Sequence, residues 1–194
     1  MKYKIIQLFN DNMEIKSALA ESLSDVIAQA AQRLVTCLLS DHKMLACGNG
    51  GSAANIQHFT TAMIHHFEVA RPALPVFSLS NDPSVISAIA NETHSGDVFA
   101  KQIQALGHNE DVLLIVTTTG NADSLLHAVN AANERGLDML VLSGRDGGLL
   151  ANHLGPEDIE IRIPIDNSAR IREMHLFILH CICSLIEQSL FGTG

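Results

Sequence analysis

Tryptophan is absent from this 194-residue chain, tyrosine occurs once, and aromatic residues make up only 4% of it. A core built without large rings has to be aliphatic, and the apolar share of 47% is enough to fill one. Cations are scarce: 12 Lys and Arg stand against 21 Asp and Glu, a formal net charge of -9. No stretch clusters basic residues as contacts with nucleic-acid phosphates require, so direct nucleic-acid binding is not expected. With so much apolar material and only 17% charged residues, the chain is not a disordered, self-repelling polymer.

Segments that would send the chain elsewhere are missing too. Met1 to Asn12 has neither a long apolar run nor a small-residue cleavage site, so no signal peptide is read. No stretch is read as long enough to span a membrane. Cys37, Cys47, Cys181 and Cys183 lack the paired spacing of zinc ribbons and redox motifs and sit in apolar surroundings. They read as buried free thiols, and together these features point to a reducing cytoplasm.

The length suits one core with an appendage, read as an N-terminal helical segment at 1–33 and a domain at 34–194. From Ile5 to Leu39 apolar residues recur three and four apart, which predicts two helices. Beyond them the pattern alternates. Strands are expected at Lys43–Cys47, Ala73–Leu79, Asp111–Thr117, Leu137–Leu142 and Asp158–Ile163. Helices are expected at Ala53–Phe67, Pro83–Asn91, Asp97–Leu106, Ala122–Arg135 and Ala169–Leu190. Continuously apolar strands separated by helices predict an α/β fold, a five-stranded, mostly parallel sheet covered on both faces. The closing helix carries too many apolar residues for one narrow stripe, so either its own chain or a partner subunit covers the remainder.

Two strands run through short loops directly into helices. After the first comes Gly48-Asn49-Gly50-Gly51-Ser52, whose glycines allow close backbone approach and whose helix start offers free N–H donors. It suits an anion, although glycine also serves simply to turn a chain. No Walker lysine follows, which disfavours a nucleoside triphosphate. The second loop, Thr117-Thr118-Thr119-Gly120-Asn121-Ala122-Asp123-Ser124, sets three hydroxyls before a helix N-terminus. That chemistry fits a phosphate monoester without a cationic patch. Threonines that merely finish a strand and cap a helix are the plainer alternative.

These loops, with Ala169-Arg-Ile-Arg-Glu-Met-His175, Gly144-Arg-Asp-Gly-Gly148 and Leu154-Gly-Pro-Glu-Asp-Ile-Glu-Ile-Arg-Ile-Pro164, resemble the sugar isomerase (SIS) domain along nearly the whole chain. Within that group the sequence resembles the phosphoheptose isomerases and, more closely, the DiaA-like proteins that associate with the replication initiator DnaA. The resemblance implies a three-layer α/β/α sandwich assembled as a homotetramer. It also implies a phosphosugar pocket at Asn49, Gly50, Gly51, Ser52, Asn55, Thr117, Thr118, Thr119 and Asn121.

The catalytic positions depart from the isomerase pattern. His58 stands at the helix histidine, but the Glu expected four residues later is Ala62, which cannot accept a proton. Arg172 stands where the isomerases have Gln, while His180 matches their second histidine. The isomerases commonly hold zinc here, for which His58 and His180 are possible ligands, but a guanidinium offers no lone pair and repels a cation. His65 and His66 further along could rearrange the site. Ala122 replaces a phosphate-binding hydroxyl, and Glu92 stands where Asp is expected and could substitute as base. The expectation is a non-catalytic, DnaA-associating regulator without cofactor. Its chain end would place Leu190 at a subunit contact and Phe191 at a partner contact. The alternative is an isomerase acting on sedoheptulose 7-phosphate, with zinc.

Overall fold

The computed structural model describes residues 1–192, so the last two positions of the expected 34–194 domain lie outside it. A first helix, α1 (Lys2–Leu39), leads into β1 (Met44–Gly48), α2 (Gly51–Ile64), β2 (Val76–Ser78) and α3 (Pro83–Glu92). A 3-10 turn at Ser95–Asp97 precedes α4 (Ala100–Leu106), β3 (Val112–Val116), α5 (Asp123–Arg135) and β4 (Asp138–Gly144). Another at Leu150–His153 precedes β5 (Ile159–Ile163) and α6 (Ser168–Phe191).

The strands form one five-stranded sheet in the order β2-β1-β3-β4-β5, and every pairing is parallel. Side chains alternate between its faces, as a strand's two-residue period demands. Met44 and Ala46 of β1 enter one core with Val112, Leu114 and Val116 of β3, beneath α1, α2 and α6. Leu45 and Cys47 enter the other with Leu113 and Ile115, beneath α4 and α5. Both faces are covered, giving the three-layer α/β/α sandwich. Cys37, Cys47 and Cys183 are buried free thiols, with Cys181 half-buried. Strand order reverses between β1 and β3, the place where open α/β sheets leave a crevice beyond their carboxyl ends.

Several elements differ from the periodicity. The stretch read as two helices is one 38-residue helix, because no Gly or Pro interrupts Lys2–Leu39. It runs straight through the expected boundary at position 33, and its buried residues begin at Ala30. The second strand shrinks to three residues, since Pro72 and Pro75 bring no N–H for pairing with β1. The run from Asp97 divides into a 3-10 turn and the short α4. α6 corrects the expectation about membrane length: an 18-residue window in it has mean hydropathy 1.5 and passes as a span by length and composition. Burial explains the apolarity, since Ile171, Met174, Ile178, Leu179, Ile182 and Ile186 face the core beside buried His175 and Glu187.

Glu187 fixes the connection between α2 and β2. Its carboxylate accepts the N–H groups of Phe67, Glu68 and Val69 and the Nε–H of Arg71, at 2.8 to 3.1 Å. The Arg71 side chain, wholly buried, also donates to the carbonyls of Ala62 and Met63 at the end of α2. One buried ion pair therefore ties the end of α2, with its histidine and alanine positions, to α6.

Candidate functional site

Gly48 of β1 and Val116 of β3 are register partners, so the two strand-to-helix loops leave the sheet side by side. Asn49 Nδ2 donates to Ser124 Oγ at 2.9 Å and clips one loop to the other. Neither α2 nor α5 begins with a side-chain cap: Gly50 and Ala122 occupy those positions. Helices α3 and α6 are closed in the ordinary way, by Asp82 and Asn167. Two open helix starts therefore meet at the switch point, each with first-turn N–H groups that an anion can fill.

Within the second loop the hydroxyls divide their labour. Thr117 is buried, and its Oγ1 accepts the Gly120 N–H at 3.0 Å. Thr118 and Thr119 are half-buried and their hydroxyls have no partner among the described residues. Asn121 is exposed, and its Oδ1 accepts the Leu149 N–H at 2.9 Å. Gly120 has φ +67°, and a Cβ there would lie 1.8 Å from the Gly147 carbonyl oxygen, so this contact with the neighbouring turn admits only glycine. Thr117 and Asn121 thus shape the loop, while the hydroxyls of Thr118 and Thr119 take no part in those bonds.

Four candidate residues continue onto α2. Ser52 is buried in its first turn and Gly51 is exposed. Asn55 donates from Nδ2 to the Arg172 carbonyl at 2.9 Å, joining α2 to α6. His58, one turn on, meets His180 of α6 with Nε2 to Nε2 at 2.8 Å, a distance that holds one shared proton. Burial, then the neighbouring His58, lowers the His180 pKa below its ordinary value. Phe67 stacks at 5.2 Å beside His180.

Ala62 follows as a buried methyl group with no acceptor to offer. Glu92 ends α3, exposed and not hydrogen-bonded to either histidine. His65 and His66 lie beyond the end of α2, which stops at Ile64, with their ring centroids 3.9 Å apart and the rings tilted at 47°. The residues that the resemblance assigns to zinc thus comprise two imidazoles, one methyl group and one guanidinium. Zinc takes three or four protein ligands, so this set does not fit it.

Sequence reading took Arg172 only as a residue that spoils a metal site, and missed its placement. A Cβ on Gly51 would meet Arg172 Cδ and Nε at 2.8 Å, so the side chain lies directly along the glycine loop. Arg33, Arg71, Arg135, Arg145, Arg162 and Arg170 each have a hydrogen-bond partner. Among the described residues the Arg172 guanidinium has none. The signal in sequence was an extra cation beside a loop motif in an acidic chain. An unpaired fork of donors at an open helix start suits a phosphate or carboxylate.

The chain end is mixed. Leu190 packs partly buried against its own core, and Phe191, 36% exposed, lies 5.8 Å from the Arg71 guanidinium. A large apolar cavity of about 990 Å³ opens between α1 and α6, lined by Leu19, Leu23, Ile27, Phe67, Phe177 and His180 among others.

Comparison with known proteins agrees with this layout. The DnaA initiator-associating protein DiaA of Escherichia coli is 48% identical over 191 residues, covering 98% of this chain and 97% of its own. The phosphoheptose isomerase of Halorhodospira halophila is 44% identical over 189 residues, covering 97% and 96%. The solved structure of a phosphoheptose isomerase from Francisella tularensis superposes with a TM-score of 0.92 at 42% identity, covering 95% and 97%. Residues 7–144 match the SIS domain, and the chain belongs to that family.

Proposed function

We propose that this protein is a phosphosugar-binding, non-catalytic regulator that associates with the initiator DnaA and acts on chromosomal replication initiation in the cytoplasm. The observation that carries the reading is Ala62. Interconverting a ketose and an aldose phosphate through an enediol needs a base to move a proton between adjacent carbons, and a methyl group cannot do so. The sugar phosphate sits at the two clipped loops, with Thr118, Thr119 and the starts of α2 and α5 around its phosphate. Asn49, Gly50, Gly51, Ser52, Asn55, Thr117 and Asn121 shape and line the pocket. A homotetramer covers the groove between α1 and α6 and repeats the DnaA-binding face, so initiator molecules gather through avidity. Phe191 serves as an aromatic anchor on that face. Neither direct nucleic-acid contact nor membrane contact is part of this reading.

A second reading is favoured by one observation, the paired His58 and His180. With either imidazole or Glu92 as base, the chain would convert D-sedoheptulose 7-phosphate to D-glycero-D-manno-heptose 7-phosphate. Incubating pure protein with sedoheptulose 7-phosphate, with and without zinc, separates the two. No turnover, together with co-purification of its own DnaA that Phe191→Ala weakens, is expected. Turnover abolished by His180→Ala overturns the regulator reading, and so does failure of two folded proteins to associate.

A further inference from the structure

A second group of histidines involves residues other than His58 and His180. His94 caps the 3-10 turn, Asp97 ends it, and His127 projects from α5 one turn after Asp123. Their ligand atoms fall within 4.8 Å of one another, and among the described residues they are the one group of three or more metal-ligating side chains so placed. The geometry points to a divalent-metal site at His94, Asp97 and His127, separate from the His58 and His180 pair.

Three features support it. His127 Nδ1 and Asp97 Oδ1 are 2.8 Å apart, sharing the proton that a metal ion displaces when it binds. The two imidazole rings face each other with centroids 6.1 Å apart, at 34°. Between them lies Gly96: a Cβ there would sit 2.7 Å from His94 Nδ1 and 3.2 Å from His127 Cε1. The rings therefore converge over a residue without a side chain. His94 Nδ1 accepts the Gly96 N–H at 3.0 Å, which holds the ring toward the cluster and yields to the metal on loading.

Tetrahedral bonds of about 2.1 Å need ligand atoms about 3.4 Å apart, so the widest separation closes by at most about 1.4 Å while the His127–Asp97 pair opens by about 0.6 Å. The exposed His94 supplies most of that movement. Two imidazoles and one carboxylate select borderline divalent ions such as Zn²⁺, Ni²⁺ or Co²⁺, with water in the fourth position. Two ligands come from one four-residue turn and the third from α5, so the ion staples the loop after α3 to the helix whose first turn carries Ser124. Metal content alone is then no marker of isomerase chemistry in this chain.

The test is competition titration of chelator-stripped full-length protein with ZnCl₂ and NiCl₂ against a chromophoric chelator. Four proteins are compared: wild type, His94→Ala/His127→Ala, Asp97→Asn and His58→Ala/His180→Ala, each checked for folding by circular dichroism. The expected result is one ion per chain in wild type and in the His58/His180 variant. Affinity should fall at least 30-fold in His94→Ala/His127→Ala and about 10-fold in Asp97→Asn. Binding that survives His94→Ala/His127→Ala, or that disappears in His58→Ala/His180→Ala, overturns the assignment, as does absence of binding to wild type. Should His94→Ala/His127→Ala fail to fold, Asp97→Asn decides: unchanged affinity there refutes the site.

Discussion

Replacing Glu187 by alanine should be among the most damaging single changes in the chain. The carboxylate is 2% exposed, and it satisfies three backbone N–H groups and the Nε–H of a wholly buried Arg71 side chain. Removing one partner of a buried ion pair costs about 3–5 kcal/mol, because the other charge stays behind uncompensated. The orphaned N–H groups of Phe67, Glu68 and Val69 add to that, at about 1–3 kcal/mol each where water cannot reach them. The connection they lie on is partly exposed and relaxes, which brings the total back to about 4 kcal/mol. Against a typical stability of about 5–15 kcal/mol and a urea slope of about 2 kcal/mol per molar, the midpoint should fall by about 2 M. Urea denaturation followed by circular dichroism at fixed protein concentration measures this. Burial alone would raise the Glu187 pKa, but the hydrogen bonds from Phe67, Glu68, Arg71 and Val69 outweigh it and lower it from 4.5. Its stabilisation is therefore complete above pH 4.5 and is lost as pH falls through the depressed value, so wild type and Glu187→Gln should converge in acid. A loss below about 1 kcal/mol for Glu187→Ala, or no coupling to Arg71→Ala in a double-mutant cycle, refutes the reasoning.

Three further outcomes are expected. Arg172→Gln should weaken sedoheptulose 7-phosphate binding by about 10- to 100-fold in calorimetry, the loss of a charge-assisted hydrogen bond of about 1.5–3 kcal/mol; unchanged affinity would show that the guanidinium does not face the ligand. Burial holds the His175 pKa down at about 4 from 6.5, while its Nε2–H donates to the Ser143 carbonyl. The unfolded chain therefore binds more protons between those values, and stability should fall as pH drops from 6.5 toward 4, with a weaker slope in His175→Asn. Ala62→Glu combined with Arg172→Gln returns a base and a neutral neighbour to the His58 and His180 pair. Isomerisation of sedoheptulose 7-phosphate, absent in the parent and present in this double variant, would attribute the missing activity to those two positions.

The central strands were plain in sequence because Val112–Val116 and Met44–Cys47 are apolar at every position, as burial on both faces requires. The two loops were equally legible, since Gly, Thr and Asn there mark backbone needs that few other residues meet. Limits appeared where distance along the chain hides proximity. The continuity of α1 depends on the absence of breakers, a weaker signal than the three-and-four spacing of apolar residues, which fits one helix or two alike. The placement of Arg172 over Gly51 joins positions 121 residues apart, and the His94, Asp97 and His127 cluster joins two elements across α4 and β3. Glu187 read as one more charge on a helix, because nothing local announces that three amides of a distant turn converge on it.

α1 begins with ten residues, 2–11, that are exposed without exception, among them Tyr3, Ile5, Ile6 and Phe9. A helical stretch of that length is marginal in water on its own, and here it has no core beneath it. In the proposed homotetramer its first three turns act as a concentration gauge. When a second surface dries Tyr3 and Phe9, amide exchange there slows; on dilution it quickens, while the sheet below keeps its protection.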